Sequence, residues 1–175
     1  MRDREGFAVW LTGLPASGKS TISRELADRL RESGLPVVVL ESDVMRNILT
    51  PEPTYSDEER DRFYRQLVLI GRHITAEGAN VIFDATANRR AYRDEARRLI
   101  RRFAEIHVDC PVPVCIERDP KGIYAAAGTG EAARVPGIQS PYEAPLNPEL
   151  VLDGRASPDR NAEAILAALK PLFSL

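Results

Sequence analysis

The chain has no surplus of positive charge. Its 24 Lys and Arg stand against 26 Asp and Glu, for a net charge of −2, so no global basic field calls for nucleic acid. No apolar run approaches the length of a membrane span, and the N-terminus is charged and short ahead of its first apolar segment, unlike a secretory signal. Nucleic acid and membrane are therefore not expected as partners, and a reducing cytoplasm is the expected location. Cysteine is scarce. The two present, Cys110 and Cys115, have no metal-ligand spacing and read as small buried apolar side chains. Lysine is scarcer than arginine, and of Lys19, Lys121 and Lys170 the first two fall in motifs. What remains is an ordinary globular composition, at a length that suits one domain over 1–175 with a substantial core.

The feature that organises the chain is Gly13-Leu14-Pro15-Ala16-Ser17-Gly18-Lys19-Ser20, which fits the phosphate-loop pattern G-x-x-x-x-G-K-[ST]. Its flanks fit as well. Phe7 to Leu11 reads as a buried strand. Ile22, Leu26 and Leu30 share one helical stripe, closed by Gly34. Glycines let successive backbone N–H groups turn toward one anion, and the helix N-terminus adds partial positive charge. Lys19 is placed to reach the β/γ-phosphates of ATP, and Ser20, with Thr21 beside it, to meet Mg²⁺ and phosphate. A bare glycine turn would not require both flanks.

Downstream, residues 36–41 predict a second strand, 44–49 a helical turn and 50–56 a loop. Ser56 with Glu59 predicts a capping box opening a helix to about Glu77, with Phe63, Leu67, Ile70 and Ile74 inward. Residues 80–84 predict a third strand, 90–103 a helix, 104–108 a fourth strand and 112–118 a short helix. The Gly-, Pro- and Ala-rich stretch from Asp119 to Pro148 is long enough to predict a functional lid or a disordered loop. A fifth strand at 149–152 and a helix opening at Ser157-Pro158 complete the chain. This alternation predicts an α/β fold of the P-loop NTPase kind: a parallel sheet of about five strands, helices on both faces, and a lid over about 118–148. Ligands then lie beyond the carboxyl ends of the strands, the edge at which Gly13, Asp43, Asp84 and Asp109 all emerge.

Asp43 and Arg46, at i and i+3, share a face. Asp43 is a candidate general base for an acceptor hydroxyl and Arg46 a candidate anion ligand; a helix cap with a surface arginine is the plainer alternative. Asp84 is a candidate Mg²⁺ ligand, a rival base, or an Asx-turn leaving the sheet. Seven arginines crowd 89–102 and read mostly as a solvated face, with Arg89, Arg90 and Arg93 near enough to the sheet edge to be anion candidates. Arg60 is another. In the lid, Arg118, Lys121 and Arg134 supply the cations that phosphoryl transfer needs in a site closed to water.

These motifs together resemble the adenylylsulfate kinases (APS kinases) along nearly the whole chain. The strongest similarity is Arg118-Asp119-Pro120-Lys121-Gly122-Ile123-Tyr124, then Pro136-Gly137-Ile138-Gln139-Ser140-Pro141-Tyr142-Glu143-Ala144-Pro145 and Asn147 to Val151. Leu40 to Arg46 is similar to the family's Leu-Asp-Gly-Asp-Asn-Val-Arg. The resemblance implies a P-loop kinase that phosphorylates the 3′-hydroxyl of adenosine 5′-phosphosulfate with MgATP, often as a homodimer. It implies that Lys19, Asp43 and Lys121 are catalytic. It also implies that residues 13–21 and Arg118 bind ATP, that Arg46, Arg60, Arg90 and Ile138 bind the nucleotide substrate, and that Ser20 and Asp84 serve the metal. The departures lie on the acceptor side. Glu41-Ser42 stands for Asp-Gly, Thr86-Ala87-Asn88 for Ile-Ser-Pro, and Val135 for the lid phenylalanine that packs on the substrate's adenine, so an aromatic surface is missing. Another nucleotide or a small alcohol as acceptor, and a nucleotide-binding regulator without turnover, are the alternative readings.

Overall fold

The computed structural model describes residues 5–54, 56–129 and 135–175. Five strands, β1 (Ala8–Thr12), β2 (Val37–Glu41), β3 (Asn80–Asp84), β4 (Phe103–Asp109) and β5 (Leu150–Asp153), form one parallel sheet in the order β2-β3-β1-β4-β5. The helices are α1 (Lys19–Glu32), α2 (Ser42–Leu49), α3 (Asp57–Ala76), α4 (Arg90–Leu99), α5 (Val112–Arg118), α6 (Ile123–Thr129) and α7 (Pro158–Phe173).

β1 lies at the centre and every residue in it is buried, as expected of a parallel strand covered on both faces. Its side chains alternate. Val9 and Leu11 meet Ile22, Leu26 and Leu30 of α1 and Ile165 and Leu169 of α7. Ala8 and Trp10 meet Phe63, Leu67 and Val68 of α3 and Tyr92 and Ala96 of α4. The indole of Trp10 stacks on Phe83 with centroids 4.5 Å apart, and its Nε1 donates to the carbonyl of Ala85 at 3.0 Å. A fully buried aromatic is thus satisfied at its one polar atom, and the segment leaving β3 is pinned to the sheet. The topology switches beside β1, with β2 and β3 on one side and β4 and β5 on the other, which opens a crevice at the carboxyl edge.

The expected helices and strands are present, with differences that have physical causes. The helix predicted over 90–103 stops at Leu99. Ile100 is extended and Phe103 begins β4, opposite Ala8. Residues 96, 99, 100 and 103 fit a helical stripe, but sheet pairing claims the last of them. The stretch 119–148 is not loop throughout, because Ile123–Thr129 forms α6; its alanines give helix propensity without a two-faced pattern. Ser56 caps α3 by accepting from the N–H of Glu59 at 3.2 Å. The reciprocal half of the capping box is replaced, since the Glu59 carboxylate accepts from Thr54, hydroxyl and N–H, rather than from Ser56. Ser157 caps α7 in the expected way. Nor are the arginines of α4 all solvated: Arg93 is fully buried, with its Nε 2.6 Å from Glu105. Cys110 and Cys115 are free and buried. Among the described residues no helix is long and apolar enough to cross a membrane.

Candidate active site

The loop from β1 to α1 has a backbone that ordinary residues avoid. Gly18 caps α1 at φ 103°, and Ala16 also has positive φ, 61°, a left-handed conformation that costs a non-glycine residue about 1 kcal/mol. Gly13 is required for a different reason: a Cβ there would lie 2.5 Å from the carbonyl oxygen of Val108 on β4. The turn therefore packs tightly against the central strands, and its concave side faces outward.

Lys19 is buried and its ammonium folds over this turn, donating to the carbonyls of Gly13 at 3.0 Å and Leu14 at 2.7 Å. Burial lowers its pKa to about 8, although the Asp84 carboxylate acts in the opposite sense. Asp84, at the end of β3, is itself buried and accepts from the Ser23 hydroxyl at 3.4 Å. Parallel register places it beside Glu41 of β2.

A cavity of about 1040 Å³ opens above these groups. Pockets for one small ligand run to roughly 300–1,000 Å³, so this one stands at the top of that range. It brings together Pro15, Ala16, Gly18, Lys19, Ser20 and Thr21 from the loop, Asp43, Arg46, Arg60 and Asp84 from the sheet edge and α2–α3, and Arg118 and Lys121 from the lid. Gly13, Leu14 and Ser17 are behind that surface. Leu14 packs with the apolar cluster of Cys110, Cys115, Tyr124 and Val135.

Arg90 and Ile138 are not part of the cavity wall. The Arg90 guanidinium donates to the carbonyl of Ala144 at 3.1 Å, and Ile138 is half exposed. Arg89 pairs with Asp57 and Asp61, and Arg93 is committed to Glu105. Of the lid cations, Arg134 lies outside the described residues.

The remaining cations occupy distinct positions. Lys121 pairs with Asp43 and lies 4.0 Å from Glu41, and the bond to Asp43 raises its pKa. This places Lys121 against the first turn of α2, and Tyr124 ties α6 to the phosphate loop by donating to the Pro15 carbonyl at 2.8 Å. Arg46 lies over the Phe63 ring, 4.1 Å from its centroid, and 3.7 Å from Glu59. Arg60 is buried in the wall and has no ion pair with a described carboxylate. Arg118 donates to the carbonyl of Gly154 at 2.8 Å.

Gly154, Ala156 and Pro158 complete the wall beside Arg118, and Tyr64, Thr86 and Asn88 complete the opposite end. The sequence places Thr86 and Asn88 on the acceptor side without giving them a role, and sequence reasoning missed Tyr64 and the first group as site residues. The Asp153-Gly154 turn, emerging from β5 at the carboxyl edge, was the available signal for the first. For Tyr64 there was none, since it reads as one more apolar residue of α3.

The family model described as adenylylsulphate kinase matches residues 5–153. The chain belongs to the adenylylsulfate kinase family. Among its relatives, the adenylyl-sulfate kinase of Rippkaea orientalis is 42% identical over 147 residues, covering 84% of this chain and 81% of that protein. A probable adenylyl-sulfate kinase of Pyrococcus abyssi is 38% identical over 169 residues, covering 96% and 97%. The APS kinase of Mycobacterium tuberculosis, solved in complex with AMPPNP and APS, superposes with a TM-score of 0.90 at 34% identity, covering 95% of this chain and 99% of that one. The P-loop kinase fold of this family is thus the fold of this chain.

Proposed function

We propose that this protein transfers the γ-phosphoryl group of ATP to the 3′-hydroxyl of adenosine 5′-phosphosulfate, giving 3′-phosphoadenylyl sulfate and ADP. The observation that carries the reading is the shared cavity. A phosphate-binding turn with Lys19 and a carboxylate–lysine pair, Asp43 and Lys121, line one continuous space, in a chain of a family whose Mycobacterium tuberculosis member is described with AMPPNP and APS.

In this reading the turn at 13–20 and the N-terminus of α1 hold the triphosphate, and Lys19 leaves the loop carbonyls to meet the β- and γ-oxygens. Arg118 and the Gly154 turn enclose the donor base. Arg46 and Arg60 hold the anionic end of the acceptor nucleotide. Asp43 accepts the proton of the 3′-hydroxyl as that oxygen bonds to the γ-phosphorus and the bond to the β–γ bridging oxygen breaks; ADP leaves, and the proton passes from Asp43 to solvent. Lys121, released from Asp43, stabilises charge on the transferring group, the need that cations meet in a loose phosphoryl transition state. Ser20 and the buried Asp84 carboxylate line the cavity as hard oxygen donors that suit Mg²⁺. Ser20 and Asp84 would hold such an ion, whose chemistry is to neutralise charge on the phosphates.

The test is a coupled assay over a panel of alcohols and nucleotides with ATP and magnesium. Turnover of adenosine 5′-phosphosulfate at micromolar concentration is expected, and its absence while another alcohol is phosphorylated would reject the acceptor named here. We further propose that 1–175 acts as one kinase domain with the lid at about 118–148, that it works in the cytoplasm, and that it forms a homodimer, readable by light scattering. Assembly occurs among its neighbours, one of which is described as a hexameric APS kinase of Thiobacillus denitrificans.

A further inference from the structure

We infer that Glu143, on the return segment of the lid, is a positioning residue for the acceptor wall of the cavity. It acts through the loop 85–89 and touches no substrate. The inference rests on the reaction proposed above only in naming which ligand that wall receives.

The wall has a strained centre. Ala87 has φ 43°, a left-handed conformation in a residue with a side chain, which persists only where its surroundings enforce it. Its N–H donates to the Tyr64 hydroxyl at 3.1 Å, and its carbonyl accepts from the Arg93 guanidinium. The residues on either side, Thr86 and Asn88, are the ones that enter the cavity. The shape held at Ala87 therefore decides where those two side chains stand.

Residues 141–144 brace this loop. The Glu143 N–H donates to the carbonyl of Asn88 at 2.8 Å, and Asn88 Nδ2 donates to the carbonyl of Pro141 at 3.3 Å. A second Arg93 nitrogen donates to the carbonyl of Glu143 at 2.5 Å. The Glu143 carboxylate accepts from the N–H of Arg90 at 2.8 Å. Arg89, the N-cap of α4, makes no side-chain cap of its own, so Glu143 supplies the missing acceptor from 53 residues away and puts negative charge at a helix N-terminus. The lid's return segment and the acceptor loop are thus one hydrogen-bonded unit, joined by two charged side chains: Arg93, which donates to both segments, and Glu143, which ties the return segment to the start of α4.

The test compares Glu143→Ala, Glu143→Gln and Glu143→Asp with the parent protein. The readouts are the KM for each substrate and the hydrogen exchange of amides 85–90. Glu143→Ala is expected to raise the KM for adenosine 5′-phosphosulfate about tenfold, as expected when a reacting partner is held slightly out of place. The KM for ATP should stay unchanged and exchange at 85–90 should quicken. Glu143→Gln keeps an acceptor oxygen and should restore most of the loss. Should Glu143→Ala give no soluble protein, Glu143→Asp, one methylene shorter, is read in its place and should shift the same KM in the same direction. Equal rises in both KM values, or a lower melting temperature with neither KM nor local exchange altered, would overturn the inference. The exchange measurement needs no substrate, so it separates failure of this inference from failure of the reaction assigned above.

Discussion

The two ends of the cavity are built by different means. The proposed donor end is one short loop, six residues between a buried strand and the helix that follows, and Lys19 at the start of that helix is almost wholly buried against backbone carbonyls of the loop. The acceptor end is assembled from distant pieces: the end of β2, α2, α3, the loop after β3, and two lid segments. No residue of α2 is buried, and Asp43 and Lys121, which meet across 78 residues of chain, are both more than half exposed. Under the proposed assignment this is a division of labour. Phosphate recognition by backbone N–H groups can be compact, whereas recognition of the acceptor would draw on side chains gathered from several elements and so would depend on how those elements and the lid are held.

The largest expected effect tests the donor end. Lys19→Met should lower kcat/KM by about 10³- to 10⁵-fold, the range observed for a cation acting on a transferring phosphoryl group. Measured in the coupled assay, a loss much smaller than this would mean that the compact loop binds nucleotide without serving the chemistry. At the acceptor end, Asp43→Asn should lower kcat by about 10²- to 10⁴-fold and leave calorimetric affinity for a non-hydrolysable ATP analogue intact. Unchanged turnover would remove Asp43 as the base and direct attention to Asp84. Loss of analogue binding would instead blur the division between the two ends.

A third change tests whether the acceptor end depends on its frame. Glu105 neutralises the buried Arg93 that holds the carbonyls of Ala87 and Glu143. Removing one partner of a buried pair leaves an uncompensated charge, so Glu105→Ala should cost about 3–5 kcal/mol of stability in urea unfolding. A cost below 1 kcal/mol, roughly that of an exposed pair, would mean that solvent reaches Arg93.

The donor end was legible because its chemistry is local in sequence. The spacing of Gly13, Gly18, Lys19 and Ser20 carries nearly the whole geometry, and the strand and helix on either side follow from periodicity. The sheet, its two-sided cover and five strands also follow from alternation of apolar runs. The acceptor end was legible only in parts. Asp43, Arg46 and Arg60 do line the cavity, but Arg90 and Arg93, judged by nearness to the sheet edge, are taken up by Glu143, Ala144 and Glu105. No spacing rule reveals a carboxylate partner 12 or 53 residues away. Helix α6 was hidden because an alanine run shows propensity without a face, and Phe103 because strand pairing overrode a stripe that fitted a helix.

The smallest expected effect is a pH dependence, and it separates the two ends again. In the free protein Lys19 titrates at about 8 because burial disfavours its ammonium form, whereas its unfolded value is 10.5. Between those values the unfolded chain holds a proton that the folded chain has lost, so stability of the free protein should rise with pH across that window. Nucleotide binding has the opposite requirement. A triphosphate favours the ammonium form, so above pH about 8 binding must take up a proton and affinity should fall by up to about tenfold per pH unit. Calorimetry with a non-hydrolysable ATP analogue, in buffers of different ionisation enthalpy, reads both the affinity and the proton taken up. Lys121 should behave differently, since its pKa is raised by Asp43 and it stays protonated over the same range. Loss of donor affinity above pH about 8 that persists in Lys19→Met would place the titrating group elsewhere, and the contrast between a buried, easily deprotonated lysine and an exposed, paired one would no longer describe this cavity.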